Sequence, residues 1–184
     1  MRLSCGILLI ASLGALDVSS QEGSLAVWLD VPFVKQEKNG CGAASISMVM
    51  RYWSRVADLP APGSADPSAI MHHLYAKDAK GIFASAMQRH FNEEGYQAFV
   101  FKGEWIDLGR HLSRGRPLIV CLKESGKEGL LHYAVVTGLD PRQDGVLLND
   151  PARRKLLRMD RASFERCWHA ADNWTLLAVP QERK

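Results

Sequence analysis

From residue 116 onward the chain breaks into short apolar runs of strand length: 116–122 (RPLIVCL), 131–139 (LHYAVVTGL), 145–150 (GVLLND), 155–159 (KLLRM) and 174–179 (WTLLAV). No other feature limits the fold as much. Apolar runs of this length separated by turn residues are strands, and only 161–168 interrupts them with helical spacing. The first half reads the other way. Between Cys41 and about Arg55, apolar residues cover most of a helical perimeter, which marks a buried helix. It begins at Gly40 or Cys41, with Asn39 placed to cap it. Shorter helices are expected near 68–77 and 82–93, with Gly81 and Gly95 as breaks, then a strand at 97–101 and a helix near 104–113. Helices first and strands later specify an α+β fold rather than a parallel α/β one.

The segment 26–34 alternates before a polar loop, and the Pro/Gly/Ser stretch 59–68 is short enough to be a loop within one domain. That domain spans residues 21–184. Residues 1–20 have a different character. Arg2 precedes an apolar stretch at 3–16 that has no acid or base, and small residues follow around Ser20, with Ala15 as an earlier option. This is the pattern of a secretory signal peptide, too short to span a membrane comfortably. It implies export to the periplasm or medium. Cys5 would leave with the signal.

The mature chain then holds Cys41, Cys121 and Cys167. Exported domains usually pair their cysteines, and an odd number leaves at least one thiol free. Spacing leaves a Cys121–Cys167 pairing open. Cys41 needs another explanation. At a helix N-terminus, unpaired amides and the helix dipole favour an anion. A thiol there, helped by a histidine, drops from ~8.5 into the ~3.5–7.5 range. The glycines at 40 and 42 are expected to keep it open to a substrate backbone.

A nucleophilic thiol needs a base close in space. Of the six histidines, His72, His73, His90, His111 and His169 lie on or beside helices with polar neighbours and read as solvated surface residues. His132 differs, because it begins an otherwise apolar strand. Asp150 ends the next strand. In a hairpin centred on Pro141 the two stand directly opposite each other, and a two-residue shift would leave them diagonal neighbours within reach. Asn149 then faces away from His132. A base beside an orienting carboxylate is what a catalytic thiol requires. Gln36, five residues before Cys41, has an amide suited to a developing oxyanion.

The stretches VPFVKQEKNGCGAASISMVMRYW (31–53), GRPLIVCL (115–122), HYAVVTGLD (132–140) and VLLNDP (146–151) together resemble the bacterial cysteine peptidases that cut double-glycine leaders from bacteriocin precursors. The closer likeness is to the stand-alone, exported branch, over about residues 26–180. The resemblance implies a papain-like fold, with Cys41 as nucleophile, His132 as base, Asp150 as orienting carboxylate and Gln36 as oxyanion donor. It also implies a peptide or protein substrate cut after Gly-Gly. The chain departs from the family at two points. Gly40 stands where an acidic residue often precedes the cysteine, and Gln36 lies one residue closer to it than usual. Two alternatives remain: a peptide-binding module of the same fold, and a thiol enzyme that transfers its acyl group to an amine.

Other classes find no support. The net charge of +3 is too weak to argue for nucleic acid, and the basic cluster 152–158 (ARRKLLR) reads as the solvated side of a strand. There is no CxxC pair or HExxH, and 125–129 (SGKEG) lacks the upstream glycine of a phosphate-binding loop. No cofactor, metal or ATP site is expected, and a membrane or transporter partner stays open.

Overall fold

The structure is a computed structural model that describes residues 26–59, 61–123 and 130–181. The expected signal peptide and the 125–129 stretch lie outside the described residues.

The described chain forms seven strands and five α-helices: β1 (Val27–Trp28), α1 (Cys41–Val56), α2 (Pro67–Leu74), α3 (Ala84–Glu93), β2 (Tyr96–Lys102), α4 (Trp105–Leu112), β3 (Leu118–Lys123), β4 (Leu131–Asp140), β5 (Gly145–Asn149), β6 (Leu157–Asp160), α5 (Arg161–His169) and β7 (Trp174–Pro180). The strands make one antiparallel sheet in the order β2-β7-β3-β4-β5-β6, with β1 alongside β4. This is the α+β arrangement expected. Of the alternating segment 26–34, only Val27 and Trp28 join the sheet. β1 can lie there because residue 138 is glycine: a Cβ would sit 2.6 Å from the Val27 carbonyl oxygen.

The period-two pattern of the strands divides the core. Ile119, Cys121, Tyr133, Val135, Leu176 and Ala178 face one side, where Ile46, Met48, Val49 and Met50 of α1 and Met87 and Phe91 of α3 meet them. Leu118, Val120, Leu122, Ala134, Val136 and Leu148 face the other, under Leu108 and Leu112 of α4 and Phe164 and Trp168 of α5. Each fully buried aliphatic side chain contributes about 1.5–3 kcal/mol.

α1 is buried continuously from Gly42 to Met50. Three of its side chains reach distant backbone: Ser47 Oγ donates to the Ala65 carbonyl (2.6 Å), Tyr52 Oη to Gly115 (2.8 Å) and Trp53 Nε1 to Ala178 (2.9 Å). Asn39 does not cap this helix. Gly40 is the cap residue and no side-chain cap bond forms. Instead Asn39 takes a left-handed backbone (φ 61) in the turn that closes with Gly40 N–H on the Glu37 carbonyl (3.0 Å). Asparagine tolerates that conformation better than most residues. A missing cap costs about 1 kcal/mol, less than the core packing that holds α1.

The β4–β5 hairpin is not centred on Pro141. Asp140 pairs with Gly145 and Leu139 with Val146, which places the centre between Arg142 and Gln143. A bulge between Val136 and Gly138 then shifts the register, so that Val136 pairs with Leu148 and Val135 with Asn149. Thr137 is the extra residue. Its carbonyl accepts from Leu29 N–H (2.8 Å) and its hydroxyl donates to the Leu147 carbonyl (3.2 Å).

Candidate active site

Cys41 is the first residue of α1, half-buried at the end of the sheet where β4 begins. The helical ladder starts with Ala44 N–H on the Gly40 carbonyl (2.9 Å), so the amides of the first turn have no acceptor within the helix. The flanking glycines serve packing rather than access. Both are buried, and a Cβ on Gly42 would lie 3.1 Å from Ile82 Cβ, while one on Gly40 would lie 3.1 Å from the Glu37 carbonyl oxygen.

His132 sits near the start of β4, with its side chain 20% exposed. Its Nε2 lies 2.8 Å from Asp150 Oδ1. Asp150 follows β5, and extending the ladder one step would set it opposite Ala134, so His132 is a diagonal neighbour rather than a direct one. The direct pairing expected from a Pro141-centred turn does not form, because the turn lies further along and Thr137 is inserted. The bulge also keeps His132 and Asp150 on the same face. Without it, the extended register would oppose Asp150 to Val135.

Asp150 is nearly inaccessible and fully engaged. Oδ1 also accepts from Ala152 N–H (2.9 Å), and Arg153 Nε stands 3.6 Å from Oδ2. The backbone around it is closed by Arg153 N–H on the Asp150 carbonyl (3.0 Å) and Asp150 N–H on the Arg154 carbonyl (3.2 Å). Asn149 turns elsewhere. It is fully buried, its Nδ2 donating to the Val31 carbonyl (3.0 Å) and its Oδ1 accepting from Leu156 N–H (3.1 Å).

These contacts set the charges. Burial opposes ionisation of Cys41. A hydrogen bond from His132, backbone hydrogen bonds from Tyr133 and Gly42 and the imidazolium charge outweigh it, and the thiol falls below its ordinary value. Burial would also favour a neutral His132, but the hydrogen bonds to Asp150 and Cys41 raise it to about 9. Asp150 is held below the usual carboxylate range, burial being outweighed first by the His132 hydrogen bond. With Nε2 turned to Asp150, Nδ1 is left for the sulfur. A thiolate–imidazolium pair oriented by a carboxylate can attack an acyl carbon and then return a proton to the leaving group.

Gln36 joins the site through its backbone, its N–H donating to the Pro151 carbonyl (3.0 Å). Its Oε1 is buried without a partner. Lys38 and Asn39, next along that loop, share with Ser68, Met71, His72 and Tyr75 a groove of about 510 Å³.

The other two thiols lie apart from this chemistry. Cys121 is buried and Cys167 half-buried, both free, and they pack into opposite core layers. Burial, and then the nearby Cys41 charge, push Cys121 up to about 12. Two histidines differ from expectation. His90 is buried, because it shares the inner face of α3 with Ala86, Met87 and Phe91, and His111 is half-buried against Phe101. Of the basic cluster only its end, Leu157 and exposed Arg158, lies on a strand. β6 starts only at Leu157, so Arg153 and Arg154 belong to the turn beside Asp150. Sequence reading missed Arg153, Thr137 and the sulfur-facing amide of Tyr133. Among the described residues no group of three or more His, Cys, Asp or Glu could hold a metal ion, and no helix is long and apolar enough to cross a membrane.

The model of the Peptidase_C39 like family matches residues 28–175. The chain belongs to that family. Its fold is the papain-like α+β fold of C39 peptidase domains. Among solved structures, a chain from Bacillus anthracis assigned as a C39-like peptidase superposes with a TM-score of 0.67 at 17% identity, covering 86% of this chain and 100% of that one. The peptidase domain of Streptococcus ComA, from a bifunctional ABC transporter of a quorum-sensing pathway, gives 0.61 at 19% identity, covering 81% and 98%. A double glycine motif protease from an AMS/PCAT transporter, in complex with the leader peptide, gives 0.61 at 19%, covering 85% and 98%. No curated protein matches the sequence.

Proposed function

We propose that this C39-like chain is an exported cysteine peptidase that hydrolyses peptide bonds after Gly-Gly. The observation that carries the reading is the 2.8 Å contact of His132 Nε2 with Asp150 Oδ1, with Cys41 hydrogen-bonded to the same imidazole. Family membership supports the reaction class. The apolar N-terminal stretch 3–16 supports export.

In this reading Cys41 Sγ attacks the scissile carbonyl carbon as a thiolate, and the C=O electrons move to oxygen. The Cys41 backbone N–H and the Gln36 amide hold that oxyanion. His132 gives its proton to the leaving nitrogen as the C–N bond breaks, which leaves a thioester on Cys41. Water, deprotonated by His132, then attacks the thioester, and the thiolate leaves to restore the ion pair. Asp150 keeps the imidazole oriented throughout and favours its charged form in the resting ion pair.

The test is mass spectrometry of peptides exposed to purified protein under reducing conditions. The reading expects cleavage after Gly-Gly by wild type and none by Cys41→Ala. Wild type that binds such peptides without cutting them would mark a binding module. An amine adduct in place of the acid would mark acyl transfer.

A further inference from the structure

The loop leading into Cys41 and the loop carrying Asp150 are joined by the Gln36–Pro151 hydrogen bond. Lys35 and Lys38 lie on the first, at 32–40, and Arg153, Arg154 and Lys155 on the second, at 150–156; the only acids in those two stretches are Glu37 and Asp150. The five bases and Glu37 are all exposed. Two of the bases are occupied: Lys155 Nζ is 2.9 Å from Asp30 Oδ1, and Arg153 faces Asp150. Lys35, Lys38, Arg154 and Glu37 make no ion pair among the described residues. Three cations against one anion leave a surplus of two positive charges on the joined loops. The catalytic groups do not cancel it, since thiolate and imidazolium offset each other and Arg153 stands against Asp150.

From this charge balance we propose that the site selects peptides with acidic residues flanking the scissile bond, through Lys35, Lys38 and Arg154. The proposal deepens the peptidase reading and rests on it for the ligand's being a peptide. One of these loops leads into Cys41 and the other carries Asp150, so a peptide bound over Cys41 meets their joined edge, where exposed charges act over a screening length of ~8 Å at physiological salt. A glutamate there meets an unpaired cation, whereas a lysine meets repulsion, so the acid preference combines attraction with exclusion.

The experiment uses fluorescein-labelled peptides with a central Gly-Gly and Glu, Gln or Lys at the second and third residues beyond it on both sides. Affinity is read by anisotropy with Cys41→Ala protein, and kcat/KM with wild type, at about 25 and 200 mM salt. At low salt the Glu peptide should bind about fivefold more tightly than the Gln peptide, which exceeds the Lys peptide, in line with modest exposed ion pairs. The spread should narrow at high salt. Lys38→Glu combined with Arg154→Glu, both at exposed positions, should reverse the order. Equal affinities at low salt, no binding of any of the three, or an order unchanged by the double reversal overturns the proposal. Wild type that cuts none of them while the affinity order and its reversal hold contradicts the peptidase reading and supports the acid preference.

Discussion

His132 and Asp150 meet diagonally across β4 and β5, Nε2 to Oδ1 at 2.8 Å, because the single-residue bulge at Thr137 returns both to one face of the sheet. Either side of that bulge the register differs by one, and a one-residue slip turns a side chain to the opposite face. The geometry of the site is therefore decided by a backbone irregularity five residues along β4 from His132. Asn149, immediately before Asp150, points to the opposite side and holds the β1–α1 connection by the Val31 carbonyl.

Adjacent residues should therefore fail in different ways. Asn149→Ala leaves the buried Val31 carbonyl and the Leu156 amide without partners, and is expected to cost about 2–4 kcal/mol of stability, seen as a lower denaturation midpoint. Asp150→Ala should reduce kcat more than Asn149→Ala does at temperatures where both are folded. The opposite order of activities would contradict the assignment of Asp150.

Activity should be bell-shaped in pH. The thiolate forms as pH rises through the lowered Cys41 value, and the imidazolium is lost as pH passes about 9. Stability follows the same signs. His132, raised, stabilises fully below its ordinary 6.5 and loses that contribution as pH climbs through about 9; Asp150, lowered, stabilises above the usual carboxylate value and loses it in acid. Asp150→Asn should move the alkaline limb of kcat/KM toward neutrality. A limb that stays near 9 in that variant contradicts the role given to the carboxylate.

Gln36 is tested by its amide. Removing one oxyanion donor costs ~10²–10³ in kcat, or about 2.7–4 kcal/mol. Gln36→Ala should fall in that range with KM little changed. An effect tenfold smaller would assign the second oxyanion contact to another group on the 32–40 loop.

Export has its own readout. The mature N-terminus of protein recovered from periplasm or medium should lie near Gln21, or near Leu16 for the earlier site. Recovery with Met1 intact contradicts a cleaved signal.

The layered fold, and the three residues that the fold brings together in the candidate site, were legible because their signals are local. The period-two runs announce the strands, and α1 announces its burial by carrying apolar residues all round. A titratable residue opening an apolar strand singles out His132. What escaped depends on tertiary context. The bulge needs no special side chain, so nothing in the hairpin's pattern moves its centre from Pro141 to the Arg142–Gln143 step. Asn39 suits both a cap and a left-handed turn, and only the closure of Gly40 on Glu37 decides between them. His90 looks solvated among Arg89, Asn92 and Glu93 until α3 is docked and its Phe91 face is buried. Arg153 reads as a surface base until the turn after Asp150 folds it back.

The thiolate–imidazolium pair is tested most directly by alkylation. Native protein treated with iodoacetamide near pH 6, quenched at intervals and mapped by mass spectrometry, gives a rate for each thiol. Cys41 should react much faster than Cys121, which burial raises to about 12, and faster than Cys167, which no histidine contacts. In His132→Ala that advantage should collapse at pH 6 and return only as pH approaches the ordinary thiol range. Equal rates for the three thiols in native wild type, or a Cys41 rate indifferent to the loss of His132, would contradict the account.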